Sequence, residues 1–384
     1  MSKLFENYAR WDIEIISGNG TKVYDSEEKE YLDFTSGIGV CNVGHCNPSV
    51  VAATETQLKQ LWHTSNLFTH SLQEKVAEKL VQSSMGAAVF FCNSGAEANE
   101  AAIKLARKYT GKSKIITFNK SFHGRTFGTM AATGQDKIKA GFGPMLESFI
   151  HLPFNDLQAL EKELDHETAA VMLEVIQGEG GVNPANEDFL QGIEKLCKEK
   201  GALLIIDEVQ TGIGRTGKAF GYQHYNISPD IITSAKGLGN GFPTAAMIGT
   251  EKVKSAFNPG SHGSTFGGNP LAMSAANATL DIIMNADFLA EVEEKGNYLS
   301  EKLDDMFAKV PEFKGTRHKG LMIGCEFSKE VSDIVTQLRQ NGLLVITAGP
   351  NVIRLLPPLT VTYEEINEAL EILANTLIEQ KQLV

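Results

Sequence analysis

Ala202-Leu203-Leu204-Ile205-Ile206 runs without a polar break into Asp207-Glu208, and glycine-rich sequence begins at Gly212. A strand with water on one face alternates apolar and polar side chains. A run with no alternation reads as a strand covered on both faces, as in the parallel sheet of an α/β protein. An acid at the carboxyl end of such a strand lies where open α/β sheets bind ligands. A second apolar pair, Ile231-Ile232, leads into Thr233-Ser234-Ala235-Lys236-Gly237, which sets a lysine among small residues beyond another strand end. The acid and the lysine can face one crevice.

A chain of 384 residues exceeds what a single ordinary core holds, so two domains are expected. Residues 1–45 read as an N-terminal segment that joins the small domain, 46–265 as the large, ligand-binding domain, and 266–384 as a smaller α+β domain that opens on a long linking helix. Lys and Arg number 35 against 47 Asp and Glu, a net charge of −12. That balance argues against general nucleic-acid binding, which needs a basic face. Cys41, Cys46, Cys92, Cys197 and Cys325 are scattered, with no CxxC pair, so neither a metal site nor a disulfide framework is expected. No apolar run approaches the ~20 residues of a membrane span, and Met1 to Asn7 lacks the apolar segment of a secretory signal. The expected setting is cytoplasmic, with reduced thiols.

Taken in order, Lys22 to Phe34 reads as strand, acidic turn, strand. Helices are expected over Ser49–Trp62 and Ser71–Gln82, the second with Leu72, Val76 and Leu80 on one face. A strand–turn–helix unit follows: Ala87–Cys92, Asn93-Ser94-Gly95, then Ala96–Tyr109. Ser94 suits an N-cap, and backbone N–H groups of small residues at a helix start suit a phosphate; an ordinary capped helix fits this turn equally well. Strands at Lys114–Phe118 and Ala169–Glu174 and a helix over Glu187–Lys200 complete the alternation that leads into the opening strand. Alternating strands and helices indicate a mainly parallel sheet flanked by helices, an α/β fold. From Leu271 a helical pattern extends to about Val310, broken near Asn285. Strands at Leu321–Phe327, Leu343–Ile346 and Val352–Leu355 then mix with helices at Val331–Asn341 and Tyr363–Leu377.

Two stretches imitate a nucleotide-phosphate loop. Gly212-Ile213-Gly214-Arg215-Thr216-Gly217-Lys218 fits most of GxxxxGK[ST], but Ala219 follows where a hydroxyl would hold Mg²⁺. Gly111-Lys112-Ser113 ends like the motif, yet Ala106 replaces its first glycine and a strand comes next. Neither has the strand before and helix after that the loop requires.

Lys236 alone is as readily a surface lysine in a glycine-rich loop. As a nucleophile it would form a Schiff base with a carbonyl once burial or a nearby cation lowers its pKa. A pyridoxal-phosphate site needs such a lysine, an acid for the pyridinium nitrogen, a phosphate cup and a cover for the ring. Asp207, the Ser94-Gly95-Ala96 turn and Phe122 can supply the other three. Arg125 and Arg354 are candidates for substrate carboxylates by bidentate pairing.

These residues belong to an ordered series that spans nearly the whole chain: Tyr31-Leu32-Asp33-Phe34, Gly44-His45, Asn93-Ser94-Gly95-Ala96-Glu97-Ala98-Asn99-Glu100, Phe122-His123-Gly124-Arg125, Gln177-Gly178-Glu179-Gly180-Gly181, Asp207-Glu208-Val209-Gln210-Thr211-Gly212, Lys236-Gly237 and Ser264-Thr265-Phe266-Gly267-Gly268-Asn269-Pro270. The series resembles the class III aminotransferases of fold type I, and within them the branch that works on N-acetylornithine in arginine biosynthesis. The resemblance implies a main sheet of seven-stranded type and pyridoxal 5'-phosphate bound covalently to Lys236, which also shuttles the reaction's proton. It implies Asp207 at the pyridinium nitrogen, Val209 against the ring, Gln210 near its phenolic oxygen and Phe122 stacked on it. Ser94, Gly95 and Ala96 would hold the phosphate, with Thr265 given by the other subunit of a homodimer that shares its active sites. Arg125 and Ser264 would contact N-acetylornithine. Glu179 would hold Arg354 while that amino donor binds and release it to glutamate or 2-oxoglutarate.

The sequence departs from relatives at two points. Ile38 stands where ornithine δ-aminotransferases resemble one another in having tyrosine, and Asn47 where many relatives have histidine. Other ω-amines (4-aminobutyrate, succinylornithine, ornithine), an aminomutase on the same scaffold and a binding-only protein are the alternative readings. Glu208, next to Asp207 on a strand, should point to the opposite face and is read as structural.

Overall fold

The computed structural model describes residues 3–382. Three short strands come first, β1 (Ile15–Asn19), β2 (Lys22–Asp25) and β3 (Glu30–Asp33). They form an antiparallel ribbon, and β3 also pairs with a strand near the other end of the chain. Then follow β4 (Ala88–Cys92), β5 (Lys114–Phe118), β6 (Phe149–Leu152), β7 (Thr168–Leu173), the two-residue strands β8 (Ile176–Gln177) and β9 (Asn183–Pro184), β10 (Leu203–Asp207), β11 (Ile231–Ser234) and β12 (Ala245–Gly249). Seven of these make the main sheet, in the order β4-β12-β11-β10-β7-β5-β6. β10 runs parallel to β7 and β11, while β12 is antiparallel to both its neighbours.

The unbroken apolar run does what a doubly covered strand requires. Leu204 and Ile206 of β10 join one buried cluster, with Val171 and Leu173 of β7 and Ile232 of β11. Leu203 and Ile205 join a second, with Ala170, Met172 and Ile231. Successive side chains thus enter opposite layers, and each buried Leu or Ile contributes about 1.5–3 kcal/mol. The helix Glu187–Lys200 packs on β10 and β7, and the helix Gly95–Thr110 packs on β11 and β12. Asp207 continues the odd-numbered side, that of Gly95–Thr110, and Glu208 the even side.

The rest of the chain adds β13 (Phe313–Lys319), β14 (Met322–Phe327), β15 (Leu343–Leu344), β16 (Ile346–Thr347) and β17 (Val352–Leu355). β13, β14, β17 and β16 form a second four-stranded sheet. The single strand expected over Leu343–Ile346 is therefore two: β15 pairs with β3, and β16 turns to pair with β17. The helix expected to reach Trp62 stops at Leu58, where the Trp62 indole N–H bonds the Leu58 carbonyl at 2.7 Å and occupies a terminal acceptor. The helical pattern after Leu271 resolves into Pro270–Ile283 and Ala286–Phe307, and the Asn285 side chain caps the second through the Asp287 and Phe288 N–H groups.

Candidate active site

Asp207 ends β10 and Lys236 begins the turn after β11, so both open on one cavity of about 390 Å³. The Asp207 carboxylate is 3% exposed and accepts from Asn99 Nδ2 at 2.8 Å, the His123 ring Nδ1 at 2.8 Å and the Val209 N–H at 3.0 Å. Asn99 is itself fixed, donating to the His123 carbonyl at 2.8 Å and accepting from the Thr233 hydroxyl at 2.7 Å. Burial would push the His123 pKa down, but Asp207 and then Glu174 outweigh it, and the net shift is upward. Glu174 sits behind, accepting from the Phe122 N–H at 3.1 Å and the Gly178 N–H at 3.3 Å. Burial, with Asp207 adding and His123 opposing, pushes Glu174 up to about 7.

Lys236 has φ +43°, the left-handed region that costs a residue with a side chain on the order of 1 kcal/mol or more. Its neighbour Gly237 leaves no alternative to glycine: a Cβ there would come within 2.2 Å of Asn42 Nδ2. The strained turn aims the lysine into the cavity, where its amine has no hydrogen-bond or ion-pair partner among the described residues. Burial lowers its pKa and the Arg354 cation lowers it further, against Glu179 and Asp207. An amine so placed sheds its proton readily and is a nucleophile.

Across the cavity, Ser94 caps the helix Gly95–Thr110, its hydroxyl accepting from the Glu97 N–H at 3.3 Å. The first helical N–H groups, of Gly95 and Ala96, have no carbonyl in the helix to bond, and they form a seat for an anion. Gly95 is required by close packing, since a Cβ would lie 2.8 Å from Val209 Cγ1. Phe122 lines the same space, with the Arg125 guanidinium 5.8 Å from its ring centre. Arg125 is exposed at the cavity mouth and free to pair with a carboxylate.

The far wall holds an ion pair. Arg354 of β17, 1% exposed, donates to Glu179 at 2.8 Å and to the Gln210 side-chain Oε1 at 3.1 Å. Gln210 in turn donates to Glu179 at 3.3 Å. Burial would raise the Glu179 pKa; Arg354 more than offsets this, and the carboxyl is held below its usual value.

Of the residues singled out from the sequence, Ser94, Gly95, Ala96, Phe122, Arg125, Glu179, Asp207, Val209, Gln210 and Lys236 line the cavity. Arg354 reaches it through Glu179. Ser264 stands one step back, accepting from Asn93 Nδ2 at 3.2 Å, and Asn93 lines the cavity. Thr265 is exposed and outside the cavity within this chain. Sequence reasoning gave no role to Asn99, His123 or Glu174. Asn99 had a legible signal: a polar side chain one turn after Gly95 on the alanine-rich, buried side of its helix. Thr233, which donates to Asn99, and Asn42, which lies close against Gly237, had none.

The residues fit pyridoxal 5'-phosphate. Anion seat, anchored carboxylate, unpaired amine and aromatic wall face one another around one cavity, and the glycine that opens the anion seat packs directly on Val209 of the same wall.

The chain matches the family model "Aminotransferase class-III" over residues 6–377. It is 61% identical to the acetylornithine aminotransferase of Bacillus subtilis over 96% of this chain and 96% of that protein. It is 59% identical to that of Bacillus cereus, over 97% and 96%. Among solved structures it superposes on the ornithine aminotransferase of Toxoplasma gondii with a TM-score of 0.95 at 33% identity, covering 100% of this chain and 94% of that one. The N-acetylornithine aminotransferase of Stenotrophomonas maltophilia gives 0.86 at 37% identity, over 98% of each chain.

Proposed function

Because the chain belongs to the class-III aminotransferases, pyridoxal-phosphate enzymes of fold type I, we infer that it transfers the δ-amino group of N-acetylornithine to 2-oxoglutarate, giving N-acetylglutamate 5-semialdehyde and glutamate. The relatives bearing that activity in their names are 53–61% identical over nearly the whole chain. Backbone superposition follows the architecture that ornithine and acetylornithine enzymes share, so identity is the better guide to substrate.

The bound cofactor supplies an aldehyde for amine exchange and a ring that draws electrons from the substrate's reacting carbon. The chain's own residues do the rest. Lys236, whose pKa burial lowers, would offer its amine for covalent attachment and, once displaced, would move a proton at the reacting carbon. Asp207, held by three donors, would present its carboxylate to the ring nitrogen. Gly95 and Ala96 would seat the phosphate on their backbone N–H groups, with Ser94 holding the turn. Phe122, Val209 and Gln210, which line the same cavity, would enclose the ring. Arg125, with Ser264 nearby, takes the carboxylate of N-acetylornithine.

The observation that carries this reading is the Glu179–Arg354 pair facing an unpaired lysine. One site must take an ω-amine with no carboxylate on the reacting carbon, then an α-amino acid that has one. With Glu179 on Arg354 the cation is neutralised, and the first substrate meets no bare charge. When Glu179 swings away, Arg354 is free for the second. The test is a panel of kcat/KM for N-acetylornithine, ornithine and 4-aminobutyrate, each with 2-oxoglutarate. N-acetylornithine should lead; a clear lead for either other amine overturns the substrate assignment.

The same reading takes residues 46–265 as the cofactor-binding domain, and 266–384 with 1–45 as the smaller one. It takes two copies as the working unit, Thr265 of each completing the phosphate site of the other. Exposed Trp62, Leu67, Phe68 and Phe266 support an interface. Light scattering that gives a monomer at assay concentration would reject it. Five unpaired cysteines suit a reducing cytoplasm, and among the described residues no helix is long and apolar enough to cross a membrane.

A further inference from the structure

Arg317 of β13 stands opposite Gly324 of β14, which stands opposite Arg354 of β17. Directly opposed residues in antiparallel pairs share a face, so two arginines flank a bare glycine in one row across the sheet. The loop that carries Glu179 lies over this row. Arg354 takes the Glu179 carboxylate at 2.8 Å, and Arg317 Nη2 donates to the Gly181 carbonyl at 2.7 Å. Glu326, on the neighbouring strand, pairs with Arg317 and holds its guanidinium in place. Between the two arginines, buried Val182 fills the space above Gly324, where a Cβ would come within 2.8 Å of it.

The loop backbone is fixed at its other residues as well. The Gly178 N–H is held by Glu174 at 3.3 Å. Gly180 lies so close to the Lys120 carbonyl that a Cβ would meet it at 2.4 Å, and its own carbonyl accepts from Asn183 at 2.9 Å. The backbone on either side of Glu179 is thus held, while the Glu179 carboxylate is held only by the side chains of Arg354 and Gln210.

We propose that Arg317 is a positioning residue for substrate choice: it pins the Glu179 loop to the sheet that carries Arg354, so that Arg354 passes between Glu179 and a substrate carboxylate by rotation of one side chain over a fixed backbone. The proposal rests on the reading of Glu179 and Arg354 given above. Without the pin, Glu179 spends less time on Arg354. The bare cation then favours glutamate over N-acetylornithine.

The test compares holoenzymes carrying Arg317→Met, which keeps the apolar stem and deletes the donors, Arg317→Lys, which restores one donor, and Glu179→Ala as reference. Each half-reaction is followed separately, with N-acetylornithine and with glutamate. Deuterium exchange over residues 178–182 is read on the same proteins. Arg317→Met should raise the glutamate-to-N-acetylornithine ratio of kcat/KM about fivefold, the size of effect typical of residues that act through a network, and should speed exchange in the loop. Arg317→Lys should bring both back to within about twofold of the starting protein. Should Arg317→Met fail to fold, Gly324→Ala, which lifts Val182, is read in its place with the same expected shift. If Glu179→Ala shifts the ratio and the Arg317 and Gly324 variants do not, or lower both substrates alike, the pin is refuted and the reading of Glu179 stands. If Glu179→Ala itself leaves the ratio unchanged, that reading fails and the proposal fails with it.

Discussion

Asp207→Asn keeps the shape of the side chain and removes what the network was built to hold. Three donors converge on the carboxylate: Asn99 and His123 on Oδ2, the Val209 N–H on Oδ1. An amide has one oxygen. In its better orientation that oxygen replaces Oδ2, and the NH2 group faces the Val209 N–H, donor against donor in a buried site. Such a mismatch costs about 1–3 kcal/mol, and the bond from His123 loses its ionic part, about 1 kcal/mol more. The apoprotein should therefore lose about 2–4 kcal/mol in urea unfolding at pH 6. The pH dependence follows from His123, whose pKa in the folded protein is raised above the ordinary 6.5. A raised histidine contributes stability that is fully present below 6.5 and fades as pH rises through its folded value. The deficit of the variant should accordingly be largest in acid and shrink as pH rises above 6.5, and His123, followed by NMR, should titrate at lower pH than in the unaltered protein. With cofactor bound, the ring nitrogen loses its anionic partner, and kcat should fall by about 10²–10³. An apoprotein as stable as the original to within about 0.5 kcal/mol, well below one hydrogen bond, with His123 titrating as before, would refute the three-donor account of Asp207.

Lys236→Ala should abolish the visible absorbance of the lysine-bound cofactor and lower turnover by about 10⁴ or more; a variant that keeps the band would show attachment elsewhere. Arg125→Ala should reduce kcat/KM for N-acetylornithine about 10–100-fold, the loss of charge-assisted bonds to a carboxylate, with unchanged kcat/KM rejecting that role. Glu174 is raised from 4.5 to about 7 by burial, so its contribution to stability is fully present below 4.5 and is lost as pH rises toward and through 7. Glu174→Gln should flatten that slope, which amounts to roughly 3 kcal/mol at 1.36 kcal/mol per pH unit; equal slopes in the two proteins would rule out Glu174 as the group responsible.

What the sequence made legible divides along physical lines. β7, β10 and β11 were readable because burial on both faces leaves an unbroken apolar run. β12, Ala-Ala-Met-Ile-Gly, is equally buried but short and rich in small residues, and carries little strand signal of its own. β13, Phe-Lys-Gly-Thr-Arg-His-Lys, is an edge strand with mixed exposure and reads as polar loop, so the position of Arg317 could not be anticipated. The residues proposed for cofactor and substrate could be singled out because the chemistry demands particular side chains, and ten of them line the cavity. The groups that orient them, Asn99, His123 and Glu174, act through contacts between distant segments. Asn99 and Asp207 meet across 108 positions of sequence, a separation over which no local pattern operates.

The imitation of a phosphate loop at Gly212–Lys218 shows how the same residue types serve a different end. Gly214 and Gly217 have φ of +80° and +84°, and a Cβ on Gly214 would come within 2.6 Å of the Ile283 side chain. The turns they permit direct Arg215 inward, where it is fully buried and donates to the Leu321 and Pro357 carbonyls at 3.0 and 2.5 Å and to Asn42 at 2.7 Å. A phosphate loop frees its N–H groups for a ligand; this one turns a cation onto the protein's own carbonyls and joins the main sheet to the C-terminal sheet. Glu208 belongs to the same construction, accepting from the Gly221 and Tyr222 N–H groups at 2.8 and 2.7 Å on the face of β10 turned away from the cavity. The two adjacent acids are thus divided by the period of the strand. Asp207 faces the cavity, and Glu208 anchors the loop that follows it, so the acid pair presents only one carboxylate to the site.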